Sequence, residues 1–426
     1  FFMFFLLLFS QQLHAQNGQS PYTTIGIGEI QGMSLIHNDG MGGVGIATAK
    51  PWNMSTINPA WLPMNNLTTL EVGFTGEQRN LRQDTLRQTV GGGNLRYLAF
   101  SFPLKAGRVT TSIGLMPYSR VDYHIKSSVP VRNGVENVNT VNIGSGGINQ
   151  AFIATGIRFF DDLYVGARFG YLFSSINEEL TVNQFSYAVN DTTYASIFKT
   201  TYTNQTSFSD IYLSLGAAYE LKLNEKTYIN LGATYDLETS INAERYSTLE
   251  RRRDREVNGG LVDETLEFTV TESGLGGNII LPPRYGVGIA LQRGTRWNIA
   301  ADAVFQDWSQ FRDFNGSSQN MAQMSRYAVG IEFIPDFFSV RRYLDRVTYK
   351  LGFNYENTPF VKNNQQISEI GINFGTSLPV GPSIISMAFG YGQRGTTENN
   401  LVFEDYFRFS LGVSFNDRWF QQRKYD

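Results

Sequence analysis

The sequence predicts an all-β fold, a fourteen-stranded antiparallel transmembrane β-barrel with an N-terminal plug in its lumen. Three observations predict this fold. Aromatic residues make up 14% of the 426 residues and charged residues only 17%, well below the usual quarter. Apolar and polar residues alternate from Leu67 to near the end of the chain. The connections between the alternating runs are short and long by turns, as in barrels with short turns on one side of a membrane and long loops on the other.

The first nine residues are apolar, and the small residue Ala15 follows six positions later. A stretch of this length is too short to span a bilayer, which requires about 20 residues, but it is typical of a signal peptide. We therefore expect residues 1–15 to be a signal peptide whose basic start lies upstream of Phe1. The alternative is a buried N-terminal strand or helix.

Residues 16–66 show no sustained period and are rich in Gly, Asn and Pro. Their two motifs consist of Gly40, Gly42, Gly43 and Gly45, and of Asn58, Pro59 and Ala60. The glycine run lacks the Lys-Ser/Thr ending of a phosphate-binding loop, so we interpret it as tight backbone turns. A fourteen-stranded wall encloses more space than its own side chains fill. We therefore expect residues 16–66 to be a plug, or hatch, inside the barrel.

Residues 67–416 form the predicted barrel. In one clear case, Ile211 and Leu213 share one face of a strand while Tyr212 and Ser214 share the other. A β-sandwich also alternates, but its strands are short, whereas many of these runs exceed ten residues. The predicted strands are residues 67–77, 95–104, 107–126, 149–160, 162–183, 201–220, 226–246, 284–293, 296–312, 324–335, 345–358, 367–377, 382–393 and 406–416. The long connections are predicted at residues 78–94, 127–148, 184–200, 247–283, 313–323, 359–366 and 394–405.

Charged residues of both signs fall on the predicted lumen face. They are Arg158, Arg168, Asp210, Asp236, Asp302, Glu332, Lys350, Glu356 and Arg408. We interpret them as structural pairs that cross the lumen or hold the plug; the alternative is selection of a solute. A further cluster, residues 250–256, contains four arginines in the longest predicted loop. It is either a solvated loop or a contact for the phosphates of lipopolysaccharide.

Pro117 interrupts the third predicted strand. Proline lacks the N–H that a β-ladder needs, so it occurs at strand edges and bulges. Together with Gly114 and Tyr118, it marks either a gap in the wall or the end of the strand.

The sequence offers little for catalysis, metal binding or nucleic acid. The chain has three histidines and no cysteine, and its net charge is −3. A serine-hydrolase pair would have to join His124 with Ser119 or Ser128, and a lone histidine near a loop is more often a surface residue. Nucleic-acid binding requires a basic surface. We predict no enzyme activity, no metal site, no cofactor and no nucleic-acid partner.

Three features resemble the FadL-like family of outer-membrane long-chain fatty-acid transporters. Residues 40–49 with Asn58-Pro59-Ala60 resemble the family's hatch, and residues 281–285 with Trp297, Asp302 and 307–311 resemble the family's late strand pair. The order of plug and barrel agrees as well, so the likeness covers nearly all of the chain after residue 15. A basic tail, residues 417–426, departs from the family's pattern and is predicted to be periplasmic.

The resemblance implies a passive, non-enzymatic transporter of a hydrophobic, fatty-acid-like molecule in the outer membrane of a Gram-negative-type bacterium. The ligand would leave sideways through a gap at the kink in the third strand. Outer-membrane lipids and lipopolysaccharide would surround the barrel. The same fold also serves, as in the PorV branch, as a non-transporting accessory barrel of a secretion or assembly complex that binds other envelope proteins. We favour uptake as the function, and the accessory barrel is the alternative.

Overall fold

The structure is a computed structural model that describes residues 20–130, 137–185, 197–257 and 260–418. The predicted signal peptide, residues 1–15, lies outside the described residues. So does the predicted tail, apart from Asp417 and Arg418.

The described residues form nineteen strands and one short α-helix, α1 (Ile36–Asp39). The strands are β1 (Glu29–Ile30), β2 (Thr68–Gln83), β3 (Leu86–Lys105), β4 (Val109–Pro117), β5 (Ser119–Pro130), β6 (Asn137–Gly146), β7 (Asn149–Arg158), β8 (Leu163–Phe185), β9 (Ile197–Asn224), β10 (Thr227–Asp236), β11 (Thr239–Val257), β12 (Gly260–Leu281), β13 (Arg284–Arg293), β14 (Trp297–Asp307), β15 (Gln323–Phe333), β16 (Thr348–Lys362), β17 (Gln365–Val380), β18 (Ser383–Arg394) and β19 (Phe403–Asp417). Single 3-10 turns occur at Pro21–Thr24, Pro59–Met64, Trp308–Gln310, Tyr343–Arg346 and Glu398–Asn400. In this part of the chain, none of the helices is long and apolar enough to cross a membrane.

Fourteen strands close into an antiparallel barrel, which confirms the predicted all-β barrel and its strand number. The order around the wall is β2, β3, β4, β7, β8, β9, β10, β13, β14, β15, β16, β17, β18 and β19. Val413 of β19 lies opposite Val72 of β2, and this pairing closes the ring. Closure satisfies backbone groups that would otherwise face hydrocarbon at a cost of several kcal/mol each.

The outer surface of the barrel carries an apolar belt. On β13, Tyr285, Val287, Ile289 and Leu291 are exposed, whereas Ala290 between them is buried. Aromatic pairs border the belt on both sides. The rings of Tyr235 and Tyr285 stack at 5.1 Å on the side of the long hairpins, and the rings of Trp297 and Phe333 lie 4.3 Å apart on the side of the short turns. A belt between two aromatic girdles is the lipid-facing surface of a membrane barrel.

Above the long-hairpin border, six strands continue as an open sheet, here called the distal sheet. It consists of β5, β6, the upper halves of β8 and β9, β11 and β12, paired in that order. Residues of the predicted long loops 127–148, 184–200 and 247–283 belong to these strands where the structure describes them, and residues of the predicted loop 78–94 belong to β2 and β3. Where the structure describes those loops it corrects them to hydrogen-bonded strands, and the loop at 359–366 likewise belongs to the β16–β17 hairpin.

The correction has one physical cause. Outside the membrane both faces of a hairpin meet water, so its side chains need not alternate between apolar and polar. The arginine-rich run 250–256 therefore lies within β11 and not in a loop. The predicted strand 296–312 is also too long. β14 ends at Asp307, whose carboxylate accepts the Ser309 N–H at 3.2 Å and starts a 3-10 turn.

Candidate functional site

The inner side of the wall presents glycines to the N-terminal segment, residues 20–66. A Cβ atom on Gly232 would collide with the Ile46 carbonyl, and one on Gly352 would collide with the backbone of Met41 and Gly42. These glycines lie on the strand faces opposite the exposed apolar belt. The same close contact with the segment backbone is made by Gly156, Gly166, Gly330 and Gly375, while Gly73, Gly216 and Gly288 lie close to side-chain atoms of Ile36, Asn58 and Ile46. Backbone atoms of the segment thus contact the inner wall directly at several of these glycines.

The glycine motif adopts turns that other residues rarely make. Gly42 and Gly43 have φ angles of +73° and +78°, in the left-handed region that favours glycine. Arg326 of β15 donates to the Gly42 carbonyl at 2.6 Å. Asp302 of β14 accepts the N–H of Gly45 at 2.7 Å. Gly40 packs directly on Gly375 of β17.

The Asn-Pro-Ala motif joins two parts of the segment to the wall. The Asn58 carboxamide accepts the Ala60 N–H at 3.0 Å, which caps the turn Pro59–Met64. Its NH₂ group donates to the carbonyls of Ile46, at 2.9 Å, and of Ala217 in β9, at 3.2 Å. The motif residues therefore have structural roles in holding the segment.

A buried cluster of ion pairs fixes β1 to the wall. Arg394 contacts Glu29 of β1 and donates to Glu369 at 2.6 Å, and Arg79 donates to Glu404 at 2.7 Å. Burial by itself raises the pKa of Glu29, but the guanidinium groups of Arg394 and Arg79 outweigh it and hold that pKa below its usual range. Glu29 is therefore ionised and bound to two arginines of the wall.

A second buried cluster holds the middle of the segment. Lys50 of the segment lies 3.2 Å from Glu332 of β15, which lies 3.6 Å from Lys350 of β16. Lys350 also donates to the carbonyl of His37 at 2.7 Å. Two basic groups thus share one carboxylate between the segment and the wall.

The other predicted lumen charges divide into two groups. Arg168 donates to the Thr56 carbonyl of the segment at 2.6 Å and lies 3.8 Å from Asp236. Glu356 lies 3.7 Å from Arg326, so it joins the glycine motif indirectly. Arg408 donates to Glu77 at 2.8 Å.

Arg158 and Asp210 stand apart from these clusters. Arg158 donates to the Asp161 carbonyl at the short-turn rim, and Asp210 accepts from Asn242 at the start of the distal sheet. The structure therefore groups most of the predicted charges around the segment and leaves these two outside.

Several site residues were not singled out from the sequence. Glu29 and Lys50 lie in a segment without periodicity, and Arg79 and Arg394 lie in regions predicted as loops. Glu404 lies beside them, also in a predicted loop. For the last three residues, the sequence offered one signal: each lies within two positions of the end of a predicted strand. Charged residues are common at such positions, so this signal does not identify a site.

Between the segment and the wall lies a cavity of about 190 Å³. Its lining combines twelve acidic or basic side chains with ten apolar residues, among them Ile46, Val304 and Phe360. The ionisable residues are Glu29, Asp39, Arg96, Arg168, Asp236, Arg284, Asp302, Arg326, Glu356, Glu369, Arg394 and Arg408. The charged part of this lining suits water and ions, whereas apolar ligands bind in mostly apolar pockets. Among the described residues, no group of three or more metal-ligating side chains could hold a metal ion.

The wall is interrupted next to Pro117. The β3–β4 ladder extends only to Leu98 opposite Leu115, while Pro117 still pairs with Asn149 of β7. Tyr118 then turns inward, where it is buried against the ring of Tyr212. Above this point, in the part of the chain that the structure describes, β3 pairs with β2 alone, and β5 pairs with β6. Gly114 lies below the break, within the paired region.

The N-terminal segment occupies the free edge of β5 at this interruption. Strand β1 pairs with it, Glu29 lying opposite Arg120. The Gln31 N–H donates to the Tyr118 carbonyl at 2.9 Å, and the Ser20 N–H donates to the Asp122 carbonyl at 2.9 Å. A molecule leaving sideways here would have to move these residues.

The hydrolase pair considered from the sequence does not form. Ser119 and His124 lie five residues apart on β5, which places them on opposite faces of the strand. Ser128 shares the face of His124 but lies about 13 Å along the strand.

The comparisons with known proteins agree with this architecture. The barrel is similar to CymD, a monoaromatic hydrocarbon channel, with 14% identity over 92% of this chain and 99% of that chain and a TM-score of 0.56. It is similar to the Pseudomonas putida toluene transporter TodX, with 16% identity, the same coverages and a TM-score of 0.54. It is also similar to a Pseudomonas aeruginosa FadL homologue, with 11% identity, coverages of 91% and 99% and a TM-score of 0.59.

At these identities the likeness shows the fold, which is that of the FadL-like barrels. No curated protein matches the chain. The model of one protein family, described as BamG, matches residues 1–426. This match covers the whole sequence, and the chain therefore belongs to the BamG family.

Proposed function

We propose that the protein is a non-enzymatic accessory barrel of an outer-membrane assembly or secretion complex. The observation that carries this proposal is the way the N-terminal segment is fixed. Buried ion pairs of Glu29 and Lys50 hold it to the wall, and β1 covers the free edge of β5. The segment then acts as a permanent plug, and the barrel serves as a membrane anchor for the distal sheet.

The test is depletion of the protein in its own cell. Loss of an assembly or secretion subunit should lower the amounts of other outer-membrane or surface proteins several-fold in isolated outer membranes. Native mass spectrometry of the protein extracted in mild detergent should show a stoichiometric protein partner. Two results together would refute the proposal. The extracted barrel would carry a bound apolar small molecule and no protein partner, and its depletion would leave the amounts of the other proteins unchanged.

Passive uptake of a hydrophobic, fatty-acid-like molecule is the second candidate. It is favoured by the interrupted ladder at Pro117 and by the structural similarity to a monoaromatic hydrocarbon channel and a toluene transporter. In this candidate the ligand passes the plug and leaves through the gap between β3 and β5, into the outer leaflet.

For this candidate, Pro117→Val should slow uptake of a fluorescent fatty-acid analogue into proteoliposomes several-fold. Valine restores a backbone donor and favours the extended conformation, so it extends the ladder and narrows the gap. Pro379→Val, which changes a proline of β17 far from the gap, is the matched control. Equal uptake rates for the wild type and both variants would show that the ligand does not pass through the gap.

A further inference from the structure

Strand β12 is an edge of the distal sheet. Its register joins it to β11 along its whole length, from Leu281 opposite Thr239 to Gly260 opposite Val257. On its other side, the described part of the chain provides a single bridge, from Ile280 to Arg312. Above that bridge the outward backbone groups have no ladder partner among the described residues. A row of this kind is a template for pairing with another strand.

The edge also carries exposed apolar side chains. Leu266, Phe268 and Val270 are 45%, 55% and 42% exposed. Lipid does not account for them. Val270 lies opposite Thr248, and Thr248 follows the girdle residue Tyr235 by thirteen positions, or roughly 44 Å along a strand. The outer half of the hydrocarbon core is only about 15 Å thick, so these side chains lie in water.

The charges on β12 are of one sign. Residues 260–281 contain Asp263, Glu264, Glu267 and Glu272 and neither lysine nor arginine. Two of these carboxylates pair with bases of β11, Glu267 with Arg251 and Glu264 with Arg253, on the side that is already paired. An additional strand on the free side would place its own side chains beside these carboxylates. Opposite charges in such cross-strand positions stabilise pairing and like charges oppose it.

We propose that the free edge of β12 binds an extended segment of another envelope protein by strand addition, and that this segment alternates lysine or arginine with apolar residues. The proposal rests on the proposed function as an accessory barrel and names the surface that meets the partner. Backbone hydrogen bonds supply affinity in this mode of recognition, and side chains supply specificity.

The charge pattern selects this occupant over others. A second copy of the chain would bring an acidic β12 against an acidic β12, and no register of that pair contains an attractive charge pair. The phosphates of lipopolysaccharide would meet the same carboxylates. The edge also ends in an open groove of about 990 Å³ beside Gly274 and Gly276, and its lining residues include Phe208, Phe314, Glu244 and Arg312. This groove offers aromatic contacts to an apolar side chain of the partner and a carboxylate to a basic one.

The test uses the full-length protein in zwitterionic lipid nanodiscs and two synthetic peptides of about 12 residues. One alternates lysine with valine and the other alternates glutamate with valine. We expect the lysine peptide to bind at least about tenfold more tightly. Its binding should slow amide hydrogen exchange of residues 264–272. Equal binding of the two peptides, or protection confined to other strands, would overturn the proposal.

Two variants separate charge from apolar contact. Glu267→Lys should weaken the lysine peptide about tenfold and strengthen the glutamate peptide, while Phe268→Ser should weaken both alike. Glu225→Lys, in the exposed β9–β10 turn at the other end of the barrel, is the control and should change neither. If a native complex persists with Glu267→Lys and Phe268→Ser combined, the edge is not the contact, although the accessory function stands. If the edge binds the lysine peptide but the protein has no partner in native membranes, the accessory function is wrong, while the binding property of the edge stands.

Discussion

Replacing Arg394 with methionine is expected to loosen the N-terminal segment and to raise ion conductance through the barrel. Arg394 is only 3% exposed and contacts Glu29 of the segment together with Glu369 and Glu404 of the wall. Removing one partner from a buried ion pair typically costs about 3–5 kcal/mol, because the remaining charges lose their compensation. Single-channel recording in planar bilayers should show frequent openings of the variant, approaching the conductance of a barrel that lacks residues 20–66.

Arg82→Met is the matched control for that experiment. Arg82 also pairs with a carboxylate, Asp405, but its side chain is 46% exposed, and exposed ion pairs contribute only about 0–1 kcal/mol. Its conductance should equal that of the wild type. Glu29→Gln added to Arg394→Met should restore part of the closure, because it removes one of the stranded charges. The barrel that lacks residues 20–66 should conduct freely. If it does, and Arg394→Met conducts as little as the wild type, the ion pairs do not hold the segment.

The wall was predictable because two different surroundings act on its two faces. Lipid outside and the packed segment inside impose a period of two, and this pattern predicted the strand at 284–293 with the bounds that β13 has. The distal hairpin of β11 and β12 lacks that contrast, since water lies on both of its faces. Its sequence therefore resembled a long loop, and only the backbone pairing revealed two strands.

The inner site was less predictable, because its contacts join distant parts of the chain. Glu29 and Arg394 are 365 residues apart in sequence, and nothing local in either neighbourhood points to the other. The glycines of the wall were visible on the polar face of the strands. Which of them touch the segment depends on the path of residues 20–66, and that path has no periodic signature.

Replacing Gly352 with valine is expected to displace the middle of the segment without unfolding the barrel. A Cβ atom at Gly352 would collide with backbone atoms of Met41 and Gly42, which cannot rotate aside as a side chain can. Strand β16 itself favours valine, since β-branched residues are enriched in strands. Overpacking of this kind costs about 1–3 kcal/mol, which the segment can avoid by moving away from β16.

The absence of cysteine from the sequence makes this displacement measurable. Val44→Cys places a single thiol at a buried position of the segment, so a maleimide reagent should label it slowly in the otherwise unchanged protein and roughly tenfold faster with Gly352→Val. Gly276→Val is the control, because a Cβ atom there would meet nothing within 4 Å. The mobility of unboiled samples in detergent gels should be the same for all variants, since the barrel stays closed. Equal labelling rates would mean that close backbone packing on β16 does not hold the segment, and the wall glycines would then need another explanation.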